Sequence, residues 1–185
     1  LSISKAFAGF KSLSGLVNLA GFMHGLNSLE NTTNEEFDEV MSVNFRGAFI
    51  VAKEALPLLK LRGGSMVNVV SGLASNVRPN YGVYGASKAG LINLTKTLAL
   101  EAAPKVRVNA VGPSAVDTAF LRGGTGRSTE NEPLTLDIEN YTKITPLARI
   151  AEPDDIVGPI MFLLGPDSKF MTGQTLWVNG GGYMP

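Results

Sequence analysis

The sequence predicts an α/β protein built on a doubly wound parallel sheet, and three observations predict it. Short apolar runs near residues 15–20, 65–70, 106–111 and 173–181 alternate with longer stretches of helical period. Strand, helix, strand in that order needs crossover connections, which are right-handed and lay helices on the faces of a parallel sheet. Ser71 closes the run Met66-Val67-Asn68-Val69-Val70. A hydroxyl at a strand's carboxyl end points into the crevice where open α/β sheets take ligands.

The elements follow in order. Ile3, Phe7, Phe10 and Leu13 keep close to helical spacing, so residues 3–13 are expected as a helix. Gly15 breaks into Leu16-Val17-Asn18-Leu19-Ala20-Gly21, a strand and its exit turn. Glycine at 21 lets a ligand approach the backbone closely. Residues 22–32 read as a loop. Thr32 or Thr33 caps the next helix, with Glu35 and Glu36 in its first turn. That helix runs through Phe37, Val40, Asn44, Ala48 and Ala52 to Leu56, and Pro57 is expected to kink or stop it. Asn44 sits mid-helix, where asparagine has poor propensity; pairing within the core is the plain account.

Gly63-Gly64 turns into the strand at 65–70. Residues 72–80 are small and polar, as a substrate-side rim would be, and their apolar members Leu73 and Val77 either touch a ligand or pack. A long helix then carries Tyr84, Lys88, Leu91, Leu94, Leu98 and Ala99 to about Ala102. The third strand, 106–111, leads into Gly112-Pro113-Ser114-Ala115-Val116-Asp117-Thr118. Residues 119–145 hold a glycine-rich stretch, flexible by composition, and read as a lid over the site or as a plain solvated loop. A last helix over 154–164 opens with acidic residues. The final strand, 173–181, contains Trp177, read as a packing residue.

Tyr84 and Lys88 are four apart, one helical turn on one face. A phenol has an ordinary pKa of about 10, and a neighbouring ammonium favours the phenolate and lowers that value. The pair is therefore expected to be tuned towards neutrality, which acid–base chemistry at a carbonyl or alcohol needs. Taken alone, such a pair is more often a solvated surface pair, and a serine after a strand is more often turn chemistry. Ser71, Tyr84 and Lys88 in order on a strand end and the next helix are much rarer.

Composition narrows the classes. Sixteen basic and 16 acidic side chains give no electrostatic case for nucleic acid or a membrane surface. There is no cysteine for disulfide or thiolate chemistry, and a single histidine, His24, rules out a histidine-rich metal site. No apolar run approaches the roughly 18 residues of a membrane span. A cytoplasmic setting is expected.

Ser71, the Tyr84-x-x-x-Lys88 pair and the helix Tyr84-Gly85-Ala86-Ser87-Lys88-Ala89-Gly90 resemble the short-chain dehydrogenase/reductases. The resemblance spans essentially residues 1–185, and the strand 173–181 is similar to that of 3-oxoacyl-carrier-protein reductases. It implies a Rossmann-like fold and an oxidoreductase using NAD or NADP on a small-molecule ketone or secondary alcohol. A 3-oxoacyl thioester is the first substrate it suggests, a cyclic or steroid alcohol the second. By the family's pattern Tyr84 is the proton donor and Lys88 lowers its pKa and holds the nicotinamide ribose. Ser71 bonds the developing oxyanion, and Asn44 holds a water on the proton path. Asn18, Ala20 and Gly21 match the family's Asn-Asn-Ala-Gly signature, with Leu19 in place of the second asparagine. Pro113, Ser114, Val116 and Thr118 match the segment that holds nicotinamide and phosphates, with Ser114 in place of a glycine. A homo-oligomer, dimer or tetramer, built on the helices of Asn44 and Tyr84 is implied, and no metal.

A dinucleotide fold should open with a strand, a glycine-rich turn, a helix and a ribose selector. The sequence shows none of these, so preference between NAD and NADP is not legible in it. The chain is therefore expected to be the catalytic, carboxyl-terminal part of a single Rossmann-like domain, lacking roughly 70 residues, two to three βα units, on its amino-terminal side. Such a piece is expected to bind the dinucleotide poorly by itself. The reading from another class is a catalytically silent fragment serving as a binding or assembly module.

Overall fold

Parallel pairing follows from the alternation of strand and helix. The computed structural model describes residues 3–122 and 136–184. Its strands are β1 (Gly15–Asn18), β2 (Ser65–Val69), β3 (Arg107–Pro113) and β4 (Thr175–Val178), paired in parallel in the order β1-β2-β3-β4. Among the described residues the helices are α1 (Ile3–Phe7), α2 (Asn34–Met41), α3 (Ala48–Lys60), α4 (Gly82–Ala102), α5 (Ile138–Ile144) and α6 (Pro153–Leu164). A π-helical turn, Ser42–Gly47, joins α2 to α3. Because all four strands run the same way, every carboxyl end lies along one edge of the sheet.

Successive strand residues point to opposite faces, and each face has its own cover. Met66 and Val108 pack with Ala52, Ala55 and Leu59 of α3 and Leu98 and Ala99 of α4. Val67, Val69 and Val111 pack with Ile156, Ile160 and Leu163 of α6. Each valine, leucine, isoleucine or methionine among them, taken from water, contributes about 1.5–3 kcal/mol. Helices on both faces make the sheet doubly wound, an α/β architecture as expected.

The amino edge of the sheet is fastened by Arg107. Its guanidinium donates to the carbonyls of Leu163 (2.9 Å), Gly165 (3.0 Å), Ser168 (3.0 Å) and Leu164 (3.4 Å), and to Ser168 Oγ (2.8 Å). Those of Leu163, Leu164 and Gly165 are carbonyls that the end of α6 leaves without intrahelical partners, so one side chain both caps α6 and ties it to β3. At the other edge Gly112 pairs in register with Trp177. A Cβ at 112 would meet the indole at 2.4 Å, so only glycine lets the ring lie across β3.

Several expected boundaries are corrected. α1 ends at Phe7 rather than reaching Leu13, since Phe10 stays half exposed and gains little by continuing the turn. β1 stops at Asn18, whose side chain turns into a helix contact. Pro57 neither stops nor ends its helix: α3 runs on to Lys60, forgoing one backbone bond because Ala55 and Leu59 are fully buried on the core side. β3 is longer than expected and takes in Pro113, while β4 is confined to four residues. Thr33, not Thr32, caps α2, in a reciprocal box with Glu36.

Candidate active site

The site is assembled where β1, β2 and β3 end. Ser71 lies two residues beyond β2 in extended conformation, and its Oγ accepts from Leu73 N at 3.2 Å, opening the short turn Gly72–Ala74. Tyr84 and Lys88 stand on the first two turns of α4, both buried. The Lys88 ammonium donates to Val69 O at 3.0 Å and lies 5.9 Å from the Tyr84 ring centroid. The Ser71 hydroxyl is close enough to the Tyr84 phenol to favour its ionised form.

The balance at Tyr84 is nonetheless opposite to the one the spacing predicts. Burial pushes the phenol up to about 12, and the Ser71 bond offsets only part of that. Burial also pushes the Lys88 ammonium down to about 8. The ammonium is turned to the Val69 carbonyl, so the desolvation of the phenol wins. Tyr84 is thus a loaded proton donor at neutral pH, and the expected tuning towards neutrality is corrected.

Asn44 falls in the π-helical turn, a rare geometry that recurs at functional sites. It is fully buried. Its Oδ1 accepts from Phe22 N at 2.9 Å, and its Nδ2 donates to Phe22 O at 2.8 Å and Ser87 Oγ at 3.3 Å. One amide therefore pins the exit of β1 to α4. Gly21 sits at that junction: a Cβ there would lie 3.2 Å from Asn44 Oδ1 and 3.3 Å from Lys88 Nζ. The bare backbone lets three segments meet.

The remaining predicted residues divide. Asn18 is buried in the frame, its Nδ2 donating to Ala48 O at 3.1 Å, and Ala20 is exposed just beyond β1. Pro113 ends β3 beside the Ser71 turn; a Cβ at Gly72 would lie 3.5 Å from Pro113 O. Ser114 N donates to Val178 O at 3.0 Å, extending the β3–β4 ladder. Val116 bridges Ala151, and Thr118 Oγ1 donates to Val116 O at 3.4 Å, so this stretch is braced from outside the sheet. It reaches Tyr84 through Phe120, whose ring centroid lies 6.0 Å away. Phe120 was not singled out from the sequence; an aromatic two residues past Thr118 was the available signal. Of the lid expected over 119–145, residues 123–135 lie outside the described residues; the turn Ala119–Arg122 and α5 flank them. Among the described residues no cluster of acidic or histidine side chains suits a metal ion, and no helix is long and apolar enough to cross a membrane.

Known proteins share both sequence and shape with this chain. A family model described as enoyl-(acyl carrier protein) reductase matches residues 2–183. The 4-formylbenzenesulfonate dehydrogenase of Comamonas testosteroni is 38% identical over 183 residues, 97% of this chain and 70% of that one. The 3-oxoacyl-(acyl-carrier-protein) reductase FabG of Staphylococcus aureus is 36% identical, over 98% of this chain and 71% of its own. A crystal structure of 3-ketoacyl-(acyl-carrier-protein) reductase from Brucella melitensis complexed with NADH superposes with a TM-score of 0.85 at 31% identity, covering 99% of this chain and 76% of that one. The chain spans between 30% and 71% of the length of such curated relatives.

Proposed function

The chain belongs to the short-chain dehydrogenase/reductase family, and on that premise we propose that it carries the reacting site of an oxidoreductase that moves a hydride between NAD or NADP and a ketone or secondary alcohol. The observation that carries this reading is the convergence of Ser71 on Tyr84, of Lys88 on the Tyr84 ring, and of Lys88 and Asn44 on the bare backbone of Gly21. It also argues against a silent module, which needs no such convergence. The NADH held by the Brucella relative supports the cofactor.

The residues present fit a nicotinamide. Gly21 offers backbone that a side chain would otherwise cover, and Lys88 uses one of its three donors. Lys88, Gly21 and Ala20, with Pro113, Ser114, Val116 and Thr118 across the edge, would hold it, and Asn18 would brace β1 beneath. The bound nicotinamide supplies or takes the hydride. Tyr84 gives its hydroxyl proton to the carbonyl oxygen in reduction; a phenol held near 12 is present almost wholly in the donating form. Ser71 donates to the same oxygen as charge develops on it. Asn44, fixed by Phe22 and Ser87, holds the water that returns a proton from behind Lys88.

A 3-oxoacyl thioester is the first substrate we propose, on the likeness to the Staphylococcus reductase; a cyclic alcohol is the alternative. The apolar groove of Phe49, Leu56, Pro57, Leu94 and Leu98 between α3 and α4 supports pairing of two copies of the chain. Tyr84→Phe tests the reading. Reduction of a 3-oxoacyl thioester, assayed with each cofactor, should fall about a thousandfold while the circular dichroism spectrum stays unchanged. Near-normal turnover by that variant would overturn it.

A further inference from the structure

One polar pair lies in the apolar layer between the sheet and α4, outside the residues assigned above. On that face β2 presents Met66 and Asn68, followed by Val70 just past its end, and β3 presents Val108 and Ala110, all buried. Asn68 is the polar exception. Its Nδ2 donates to Thr95 Oγ1 at 2.8 Å, and that hydroxyl donates to Leu91 O at 2.8 Å. Among the described residues no donor reaches Asn68 Oδ1. A buried acceptor left so carries its full desolvation cost, whereas a leucine of similar size would carry none.

The pair's position gives that cost a purpose. Asn68 immediately precedes Val69, whose carbonyl receives Lys88, and stands three residues before Ser71. Thr95 lies seven residues past Lys88, two turns along the same face of α4. Apolar side chains pack in more than one register; a single buried amide can select one. We propose that Asn68 and Thr95 are positioning residues that set the register of α4 on β2, and so hold Tyr84 and Lys88 against Ser71 and Val69. The proposal rests on the oxidoreductase reading for its consequence, not for its geometry.

The test is the double variant Asn68→Leu/Thr95→Val beside Thr95→Ser. The double variant removes donor, acceptor and orphaned oxygen together. Its unfolding midpoint should equal or exceed that of the parent chain. Its kcat should fall ten- to hundredfold, the scale of an ångström of misplacement, with KM within twofold. Thr95→Ser keeps the hydroxyl and should keep kcat within threefold. An unchanged kcat in the double variant overturns the proposal, as does a loss of kcat matched by a loss of stability. If the parent chain reduces no carbonyl, the functional reading fails separately. Crystal structures of parent and double variant then decide: Lys88 Nζ moved beyond hydrogen-bond reach of Val69 O supports the register role, and an unmoved contact overturns it.

Discussion

A buried cation and a half-buried one stand at opposite edges of the same sheet and have opposite employment. Arg107, at the amino edge, spends its guanidinium on five contacts to residues 163–168, each to an oxygen of the chain itself. Lys88, at the carboxyl edge, makes one bond, to Val69 O, and is the more deeply buried of the two. A cation whose two terminal nitrogens are both engaged by the fold is fitted to hold the fold. A cation left under-used in a buried place is destabilised, as its pKa of about 8 records, and its remaining donors suit a ligand. The same contrast separates the two edges as wholes: closed, internally satisfied geometry at one, convergent polar groups beside bare backbone at the other.

Substituting each cation should separate the two employments. Lys88→Met should lower turnover by about a thousandfold and leave the unfolding midpoint equal or higher; steady-state kinetics and thermal melts check both. Arg107→Met should do the reverse. It leaves the end of α6 uncapped and should lower the unfolding free energy by about 2 kcal/mol, with turnover per folded molecule within about twofold, read by denaturant titration and active-site-normalised rates.

Gly21→Ala probes the carboxyl edge without removing a charge. Its methyl would press on Asn44 Oδ1 and Lys88 Nζ, and turnover should fall about tenfold with about 1 kcal/mol of stability lost. Retained turnover would mean that the junction gives way without consequence.

A separate effect is expected on stability against pH. Lys88 titrates near 8 folded and near 10.5 unfolded, so the unfolded chain binds the extra proton between those values and stability rises with pH there, by about 3 kcal/mol. Tyr84 titrates near 12 folded and 10.0 unfolded, so above pH 10 the unfolded chain loses its proton first and stability falls. A maximum near pH 10 is expected in denaturant melts, and Lys88→Met should flatten its lower limb.

Where the sequence speaks locally, it speaks clearly. The valines of β2, the Thr33–Glu36 box and the one-turn spacing of Tyr84 and Lys88 are each set by residues within a few positions of one another. Pro57 misleads because its local preference is outweighed by the burial of Ala55 and Leu59 against distant strands. The π-helical turn at Asn44 is invisible because the bonds it serves run to Phe22 and Ser87, 22 and 43 positions away. Arg107 reads as one more strand residue because every group it binds lies more than 55 positions on. The Tyr84 pKa takes the wrong sign for a related reason: spacing names the neighbouring ammonium but not the depth of burial. Asn68 was open to notice as the single polar residue inside an apolar run, but its meaning waits on Thr95.

The indole of Trp177, laid across Gly112, gives the chain an optical gauge. It is the sole tryptophan, packed edge-on to Tyr183 at 5.8 Å and one strand position from Pro113. Its emission comes from a single address beside the carboxyl edge, with no second indole to subtract. A reduced nicotinamide absorbs where an indole emits, so occupancy of that edge registers as quenching of one band. Ligand affinity becomes measurable in variants that turn nothing over.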